Sequence, residues 1–527
     1  MKEKKTIRVV GIALRKLPAV HPLLFAMLPI LALYAYNVAE VSPSEIVLST
    51  AIVLGSTVVL LLLSWLILKN VRKAGIILSI FLVLFFCYGL VLGAIGGRGA
   101  YGGLLPTRWV ILSIVWVILF ICGAYFVIKT RRALDVLTTI LNIVAAIVVI
   151  IPTINIAVHE IRAASHDIKT AESMETNAVD LGDVDSLPDI YYIVLDRYAS
   201  ASTLKEVFDF DNSEFIDYLS DRGFYVASES TSNYVKSRSS LASALNMDYI
   251  NYLSEELGEG FTDLGPMYAM LQDYEVWRFL RSKGYEFIHF GSWWGPTAHN
   301  DYADKNFNYW QIPYFPMALF QMTMAYPFCI ELGIVDDLYT MHRECALYSF
   351  DNLADIPNIK GPTFVVAHVF LPHAPYVFDR NGNYLTAEEA NERSREVNYV
   401  DQLIFTNNKL RVLIDELLLS SEVPPIIILQ ADEGPFPEGT DSRDFKWEEA
   451  TEAQLREKMG ILNAYYLPDA DENVLYPSIT PVNSFRLVFN LYLDADFELL
   501  PDKIYAFYGG HPYKFLDVTE KVKYDKQ

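Results

Sequence analysis

The sequence predicts an α-helical transmembrane bundle of five spans followed by an α/β domain, in which a mainly parallel central sheet is flanked by helices. Two observations lead to this fold class. First, 52% of the 527 residues are hydrophobic, and the excess is concentrated in the first 160 residues. Second, short β-branched runs alternate with longer helical patterns after about residue 188, as in sheets buried between helices.

Five apolar stretches account for the membrane prediction. Most are close to the ~20 residues that cross the hydrocarbon core of a bilayer, and none carries Lys or Arg in its middle. The first is the shortest and contains Pro29, and a cleavable signal peptide is a poor alternative because four more stretches follow it. The stretches are Leu23–Val38, Ile46–Leu68, Ile76–Ile95, Val110–Ile128 and Leu134–Ile156.

Basic residues predict how the spans are oriented. They cluster before the first stretch, after the second and after the fourth, whereas the two intervening loops hold only Arg98 and Arg108. Loops rich in Lys and Arg stay on the cytoplasmic side, so we expect a multi-pass cell-membrane protein with a cytoplasmic N-terminus. An odd number of spans then places everything after about residue 160 outside the cytoplasm.

The predicted organisation is a cytoplasmic tail (1–19), a five-helix transmembrane domain (20–158), an acidic linker (159–187) and an extracytoplasmic domain (188–527). Residues 1–160 carry a net charge of +9, from 14 Lys+Arg and 5 Asp+Glu. Because the net charge of the whole chain is −22, the remaining residues carry −31. Such acidity excludes a basic face for nucleic acid. An anionic substrate must therefore be held locally, most plausibly by a metal ion.

Runs typical of strands mark the sheet of the outer domain. Ligands bind at the carboxyl ends of strands in such sheets, so the polar residues that follow each run are candidates for a site. Asp196, His373 and the pair Asp432–Glu433 stand at these places, although each alone is more often a turn residue or a helix cap. The runs are 189–196, 224–227, 285–292, 363–372, 424–432 and 461–468.

Four segments occur together in a familiar order: DIYYIVLDRY at 189–198, NYVKSRSSLASALN at 233–246, LPHAPY at 371–376 and QADEGP at 430–435. With them, residues 188–515 resemble the alkaline phosphatase superfamily, and within it the sulfatase-like membrane proteins that include lipoteichoic acid synthases and phosphoethanolamine transferases. The resemblance implies a sulfatase-like fold, metal ligands at Asp196 and Asp432, and His373 near the substrate. Matching the S-L-x-S-x-L pattern puts the nucleophile at Ser237, with Ser239 or Ser240 as alternatives.

This set of residues suits phosphoryl or sulfuryl transfer. A serine hydroxyl is a weak nucleophile, and a divalent cation at its oxygen favours the alkoxide while neutralising the oxygens of the group under attack. If a helix begins at Ser237, the unpaired N–H groups of its first turn add an anion-binding surface.

Glu433 departs from the resemblance, because the family has His after the second metal-binding Asp. One outcome is that Glu433 ligates, which gives a single cation site of Asp196, Ser237, Asp432 and Glu433 that prefers Mn²⁺ or Mg²⁺, then Ca²⁺, with Zn²⁺ last. The other is a domain that has lost its metal. We expect His368 to pack or hydrogen-bond in the core rather than bind metal.

Other polar and aromatic residues are weaker candidates. Trp294 is matched to a tryptophan that helps to hold the head group in lipoteichoic acid synthases, and the alternative is that it packs under a loop. His511, in the segment YGGHPY, stands late in the chain where the family often has a site histidine, but the surrounding residues match the family's motif only weakly. Cys329 and Cys345 form either a disulfide or two buried thiols.

Three functions remain open at this point. The first is a metal-dependent phosphotransferase or phosphodiesterase that acts, through Ser237, on a lipid-linked or envelope glycan substrate at the bilayer. The second is a sulfuric ester hydrolase, which ranks lower because the C/S-x-P-S-R segment of sulfatases is absent around Ser237. The third is an inactive sulfatase-like scaffold or sensor in the cell envelope.

Overall fold

The computed structural model describes residues 18–38, 41, 43–96, 106–131, 134–165, 187–309, 314–440, 445–507 and 510–523. The predicted cytoplasmic tail and most of the predicted acidic linker lie outside these residues. The described residues fall into two compact units. The helical unit comprises Met1–Asp167 and Ile312–Leu338, and the sheet unit comprises Ile168–Gln311 and Tyr339–Gln527.

Long apolar helices make up most of the helical unit. Four segments are long and apolar enough to cross a membrane, with 26, 25, 22 and 27 residues, and the first helix is shorter, with 16. The five predicted apolar stretches therefore all form helices, and the first of these is shorter than the four that meet the length of a span. The helices are α1 His21–Tyr36, α2 Pro43–Leu68, α3 Val71–Gly96, α4 Pro106–Lys129, α5 Asp135–Ser165, α13 Tyr314–Gln321 and α14 Ala325–Glu331.

A seven-stranded sheet forms the centre of the sheet unit, in the order β2-β7-β6-β1-β5-β3-β4. The pairs β6–β1, β1–β5, β5–β3 and β3–β4 are parallel, and β7 runs antiparallel to both of its neighbours. The strands are β1 Ile190–Leu195, β2 Tyr225–Val226, β3 Glu286–Phe290, β4 Lys305–Phe307, β5 Thr363–Val369, β6 Ile426–Ala431, β7 Asn463–Tyr466, and a separate pair β8 Tyr505–Ala506 and β9 Leu516–Asp517.

Helices pack around this sheet. They are α6 Ala201–Phe208, α7 Ser213–Asp221, α8 Ser237–Asn246, α9 Tyr252–Leu257, α10 Gly265–Gln272, α11 Glu275–Ser282, α12 Gly295–Ala298, α15 Leu338–Leu353, α16 Ala387–Glu392, α17 Arg395–Ser420, α18 Glu452–Met459, α19 Pro481–Tyr492 and α20 Thr519–Val522. Short 3₁₀ turns occur at Ile356–Asn358, Trp447–Glu449 and Glu472–Val474.

Strands β1, β5 and β6 are buried along their whole length, as their nearly continuous apolar sequences predict. They are also adjacent, with β1 in the middle, and Leu195 at the end of β1 pairs with Val369 and with Ala431. This register brings the residues that close the three strands to one edge of the sheet. Each of the six predicted strand runs contains a strand, so the predicted α/β fold is confirmed.

Candidate metal centre and active site

Three neighbouring strands contribute one polar residue each to the same point. Asp196 follows β1, Asp432 follows β6, and His368 is the last residue but one of β5. One ligand atom from each side chain lies within 4.8 Å of the other two, and all three residues are buried. His368 Nε2 is 3.8 Å from Asp196 Oδ2 and 3.9 Å from Asp432 Oδ2.

Several polar atoms of this cluster have no hydrogen-bond partner among the described residues. They are Asp196 Oδ1, His368 Nε2 and Asp432 Oδ2. A buried polar atom without a partner is costly, and buried charges are normally paired or coordinate a metal. The donor set of two carboxylates and one imidazole therefore suits a divalent cation.

The two carboxyl groups are hard to ionise in the absence of a cation. Burial, together with the nearby charge of Asp432, raises the pKa of Asp196 well above its ordinary value. Burial and the charge of Glu433 raise the pKa of Asp432 to about 6. Burial also lowers the pKa of His368, to about 3, so the imidazole is neutral at pH 7 and keeps a lone pair for a metal.

A hydrogen bond at the other ring nitrogen fixes the orientation of His368. Its Nδ1 lies 3.0 Å from Thr297 Oγ1, which is 2.8 Å from Ser292 Oγ. A histidine that ligates through Nε2 carries its proton on Nδ1 and donates it to an acceptor such as this hydroxyl. Thr297 Oγ1 can accept this proton, which would hold the tautomer that presents Nε2 to the two aspartates.

Ser237 begins helix α8 and lies beside the cluster. The Ser237 hydroxyl is close enough to Asp432 to lower the pKa of that carboxyl, against the larger effect of burial. The two alternative serines point elsewhere, because Ser239 Oγ contacts the sulfur of Met267 and Ser240 Oγ donates to a backbone carbonyl. Of the three, Ser237 is the one whose hydroxyl acts on an aspartate of the cluster.

Glu433 also lies at this edge, but its Oε1 pairs with cations. Lys458 Nζ is 2.8 Å and Arg197 Nε is 3.4 Å from Glu433 Oε1. Burial opposes ionisation of Glu433, yet these cations and Lys236 hold its pKa below the ordinary value. Glu433 Oε2 has no hydrogen-bond partner among the described residues. The prediction that Glu433 ligates a metal stays a prediction.

Three basic side chains gather around the ring of Phe436. Lys458 Nζ, Lys236 Nζ and Arg197 Cζ lie 3.5, 3.9 and 4.4 Å from the ring centroid. Burial lowers the pKa of Lys236 to about 7 and that of Lys458 to about 8, although the charge of Glu433 opposes both shifts. We call these three residues the basic cluster. It provides local positive charge in a strongly acidic domain.

Backbone contacts hold Lys458 in place. Gly434 N–H donates to Lys458 O at 2.8 Å, and Lys458 Nζ donates to Gly434 O at 2.9 Å. A Cβ on Gly434 would lie 2.4 Å from Glu457 O and 2.8 Å from Lys458 O, so only glycine permits this approach.

Trp294 and His373, the residues predicted to bind substrate, both pack against other aromatic rings. The ring of Trp294 is 6.0 Å from that of His368, and the ring of Trp293 is 6.4 Å from that of His373. His373 Nδ1 pairs with the carbonyl of Ala374, and burial together with the charge of Arg197 lowers the pKa of His373 well below its ordinary value. These contacts do not test a role in binding substrate.

Two other predictions have separate outcomes. His511 Nδ1 lies 3.3 Å from the carbonyl of Glu259, and the metal cluster found in the described residues does not include it. Cys329 and Cys345 are free thiols, the first half-buried and the second buried, and they belong to different units.

Sequence reasoning did not anticipate His368 or Lys458 as site residues. His368 lies inside an apolar run, where a histidine usually packs in the core, and only the pairing of β5 with β1 shows that it faces Asp196. Lys458 ends a helix in a charged segment, EAQLREKMG, which gives no local sign that this lysine is fully buried.

Comparison with known proteins identifies enzymes of two classes with similar structures. No protein-family model and no curated protein sequence matches the chain. Among solved structures, the C-terminal periplasmic domain of EptC from Escherichia coli shares 13% identity at a TM-score of 0.42, covering 66% of this chain and 96% of that domain. The integral membrane protein lipooligosaccharide phosphoethanolamine transferase A (EptA) from Neisseria meningitidis shares 10% identity at a TM-score of 0.37, covering 90% and 95%.

The second class is the sulfatases. The Bacteroides fragilis protein yidJ, named as a candidate sulfatase, shares 15% identity at a TM-score of 0.36, covering 58% of this chain and 74% of its own. At TM-scores below 0.5 these likenesses assign no activity to this chain, so its own residues must carry the argument.

Proposed function

We propose that this chain is a membrane-anchored, metal-dependent phosphotransferase or phosphodiesterase that acts through Ser237. One observation carries the proposal: Asp196, His368 and Asp432 converge as a buried ligand set with unpartnered atoms, beside a serine at a helix start. Two buried carboxylates and an imidazole that converge with polar atoms left without hydrogen bonds are costly unless they bind a cation, so this cluster favours an enzyme over a scaffold.

The three clustered residues would hold the cation, and Glu433 would serve as a counterion of the basic cluster. A mixed set of carboxylate and imidazole ligands suits Zn²⁺ or Mn²⁺. The earlier preference for Mg²⁺ or Mn²⁺ depended on Glu433 as the ligand in place of an imidazole. When bound, such a cation would act as a Lewis acid that favours the ionised serine and neutralises charge on the transferred group.

Ser237 would form the covalent bond. Its Oγ attacks phosphorus, the bond between phosphorus and the departing oxygen breaks, and the serine proton leaves with that oxygen. The acceptor, an alcohol or water, then attacks the phosphoserine and returns a proton to Ser237 Oγ. Asp432, which lies close to the Ser237 hydroxyl, would orient that proton at the start.

Charge around the site matches this chemistry. The acidic residues Asp196, Asp432 and Glu433 balance the three residues of the basic cluster. A divalent cation would then leave an excess of two positive charges, which complements a phosphoryl group. The helix start at Ser237 adds backbone N–H groups to the same surface.

The membrane anchor points to the source of the substrate. With α1 counted as a fifth span beside the four long apolar helices, the distribution of basic residues supports a position of the sheet unit outside the cytoplasm. We therefore propose the head group of an envelope lipid or glycan as substrate, and no nucleic acid. His373 and Trp294 are proposed to contact it.

Metal content and turnover of purified variants test the proposal. The full chain in detergent is analysed for bound metal and assayed with bis(p-nitrophenyl) phosphate and p-nitrophenyl sulfate, before and after chelation. Ser237→Ala removes the nucleophile, and Ser239→Ala is the matched control, because Ser239 contacts a methionine sulfur instead.

Metal-dependent phosphodiester cleavage that is lost in Ser237→Ala and kept in Ser239→Ala would support the proposal. Cleavage of the sulfate ester alone would favour a sulfuric ester hydrolase. Protein that binds no metal and cleaves neither substrate would favour the inactive scaffold.

A further inference from the structure

A segment from the C-terminal two thirds of the sequence packs in the helical unit. Residues Ile312–Leu338 group with the apolar helices, although the strands before and after them belong to the sheet unit. The segment folds as α13 and α14, and no charged residue occurs between Tyr314 and Ile330. This composition is typical of chain that contacts lipid.

Backbone hydrogen bonds fix the depth of this segment along α3. Gly89 N–H donates to Met322 O, and Met324 N–H donates to Phe85 O, both at 2.9 Å. Gly89 and Phe85 precede the end of α3 at Gly96 by seven and eleven residues, which corresponds to about 10 and 16 Å along the axis. Because α3 is a candidate span, the turn between α13 and α14 lies within the depth of a ~30 Å hydrocarbon core.

The close approach depends on Gly89. A Cβ at this position would lie 2.2 Å from Gln321 O and 2.8 Å from Met322 Cα. The absence of a side chain lets the two backbones meet and pair their polar groups. Irregular backbone at membrane depth is tolerated only where it is paired in this way.

Aromatic contacts continue the packing toward the end of the bundle. The ring of Phe315 is 6.5 Å from that of Tyr34 on α1, and the ring of Phe328 is 4.9 Å from that of Trp109. Trp109 lies in the first turns of α4, where tryptophan is typical of the membrane interface. Phe328 nevertheless keeps 39% of its surface exposed.

We propose that residues 314–331 form a re-entrant element that enters one leaflet of the bilayer, with its exposed face covered by lipid acyl chains. Phe328 lies against Trp109 of α4, and any bilayer around this candidate span must cover its exposed apolar side chains. The element is thus a second membrane attachment, supplied from within the sequence of the outer domain. It is independent of Ser237 and of the metal cluster.

Spin labels on the full chain in phospholipid vesicles test this proposal. In a background with the four native cysteines replaced by serine, labels are attached to Phe328→Cys and, separately, to Tyr252→Cys. Tyr252 is a matched control, because it is an aromatic residue of the sheet unit with 41% exposure. Relaxation by oxygen, which concentrates in lipid, is compared with relaxation by a water-soluble nickel chelate.

We expect the oxygen-to-nickel accessibility ratio to be several-fold higher at residue 328 than at residue 252. Equal ratios, or a lower ratio at residue 328, would overturn the proposal by showing that water or a protein covers this face. If Phe328→Cys does not fold, Ile330→Cys in the same helix reports on the same element.

Discussion

Replacing Thr297 by valine tests whether His368 is a metal ligand without touching the ligand itself. Valine has nearly the same shape as threonine but lacks the hydroxyl that lies 3.0 Å from His368 Nδ1. Without that acceptor, the imidazole loses the hydrogen bond that fixes its orientation and its tautomer. Metal should still bind, but more weakly.

The expected size of the effect follows from comparable metal sites. Loss of a hydrogen bond to a metal-ligating histidine typically weakens metal affinity about 10–100-fold, which is about 1.4–2.8 kcal/mol. The effect should lie near the upper end here, because Thr297 is buried and water cannot easily replace its hydroxyl. Thr297→Ser, which keeps the hydroxyl, should recover most of the affinity.

Competition with a chromophoric chelator measures this change in the purified full chain. Thr406→Val is the matched control, because Thr406 is also buried and its hydroxyl bonds only to the carbonyl of Gln402 among the described residues. If Thr297→Val binds metal as tightly as the original protein, His368 is not a metal ligand. An equal loss in Thr406→Val would show that the effect reflects general stability.

Three further predictions concern stability. Lys458→Met should destabilise the sheet unit by about 3–5 kcal/mol in urea unfolding, because it leaves Glu433 buried without its closest cation, and the double variant with Glu433→Gln should recover part of this loss. Burial lowers the pKa of His342 to about 3, so its imidazole stays neutral in the folded state but takes up a proton in the unfolded state below about pH 6.5. His342 should therefore contribute about 2 kcal/mol to the loss of stability between neutral pH and pH 5, beside the contributions of His289, His368 and His373. His342→Phe should reduce the loss by this share, whereas an unchanged pH profile would contradict the prediction. Gly89→Ala should speed hydrogen exchange in residues 314–331, whereas Gly55→Ala, which has open space around it, should not.

Much of the fold could be predicted from the sequence because hydrophobic pattern determines it directly. The strands that carry the site are continuous apolar runs, and the apolar stretches of the first 160 residues all form helices. Strand β4 was not predicted, because Lys305–Phe307 is three residues long and only its backbone pairing with β3 makes it a strand. Short edge strands of this kind carry no periodic signal.

The candidate site could be predicted only in part, for a different reason. Asp196 and Asp432 end their strands, so their position in the sequence places them at the rim. His368 lies within its strand, and its relation to the aspartates depends on which strands are neighbours. The re-entrant element was missed because α13 and α14 are too short to resemble membrane spans, and their place beside α3 depends on tertiary contacts.

The re-entrant element also bears on what proteolysis could release. A protease that cut the segment between α5 and β1 would sever the direct connection from the five N-terminal helices to the sheet unit. The product would still contain residues 314–331, and their hydrogen bonds to α3 would keep it on the bundle. Shedding of a free outer domain would therefore require extraction of this segment from the bilayer, as well as cleavage of the chain.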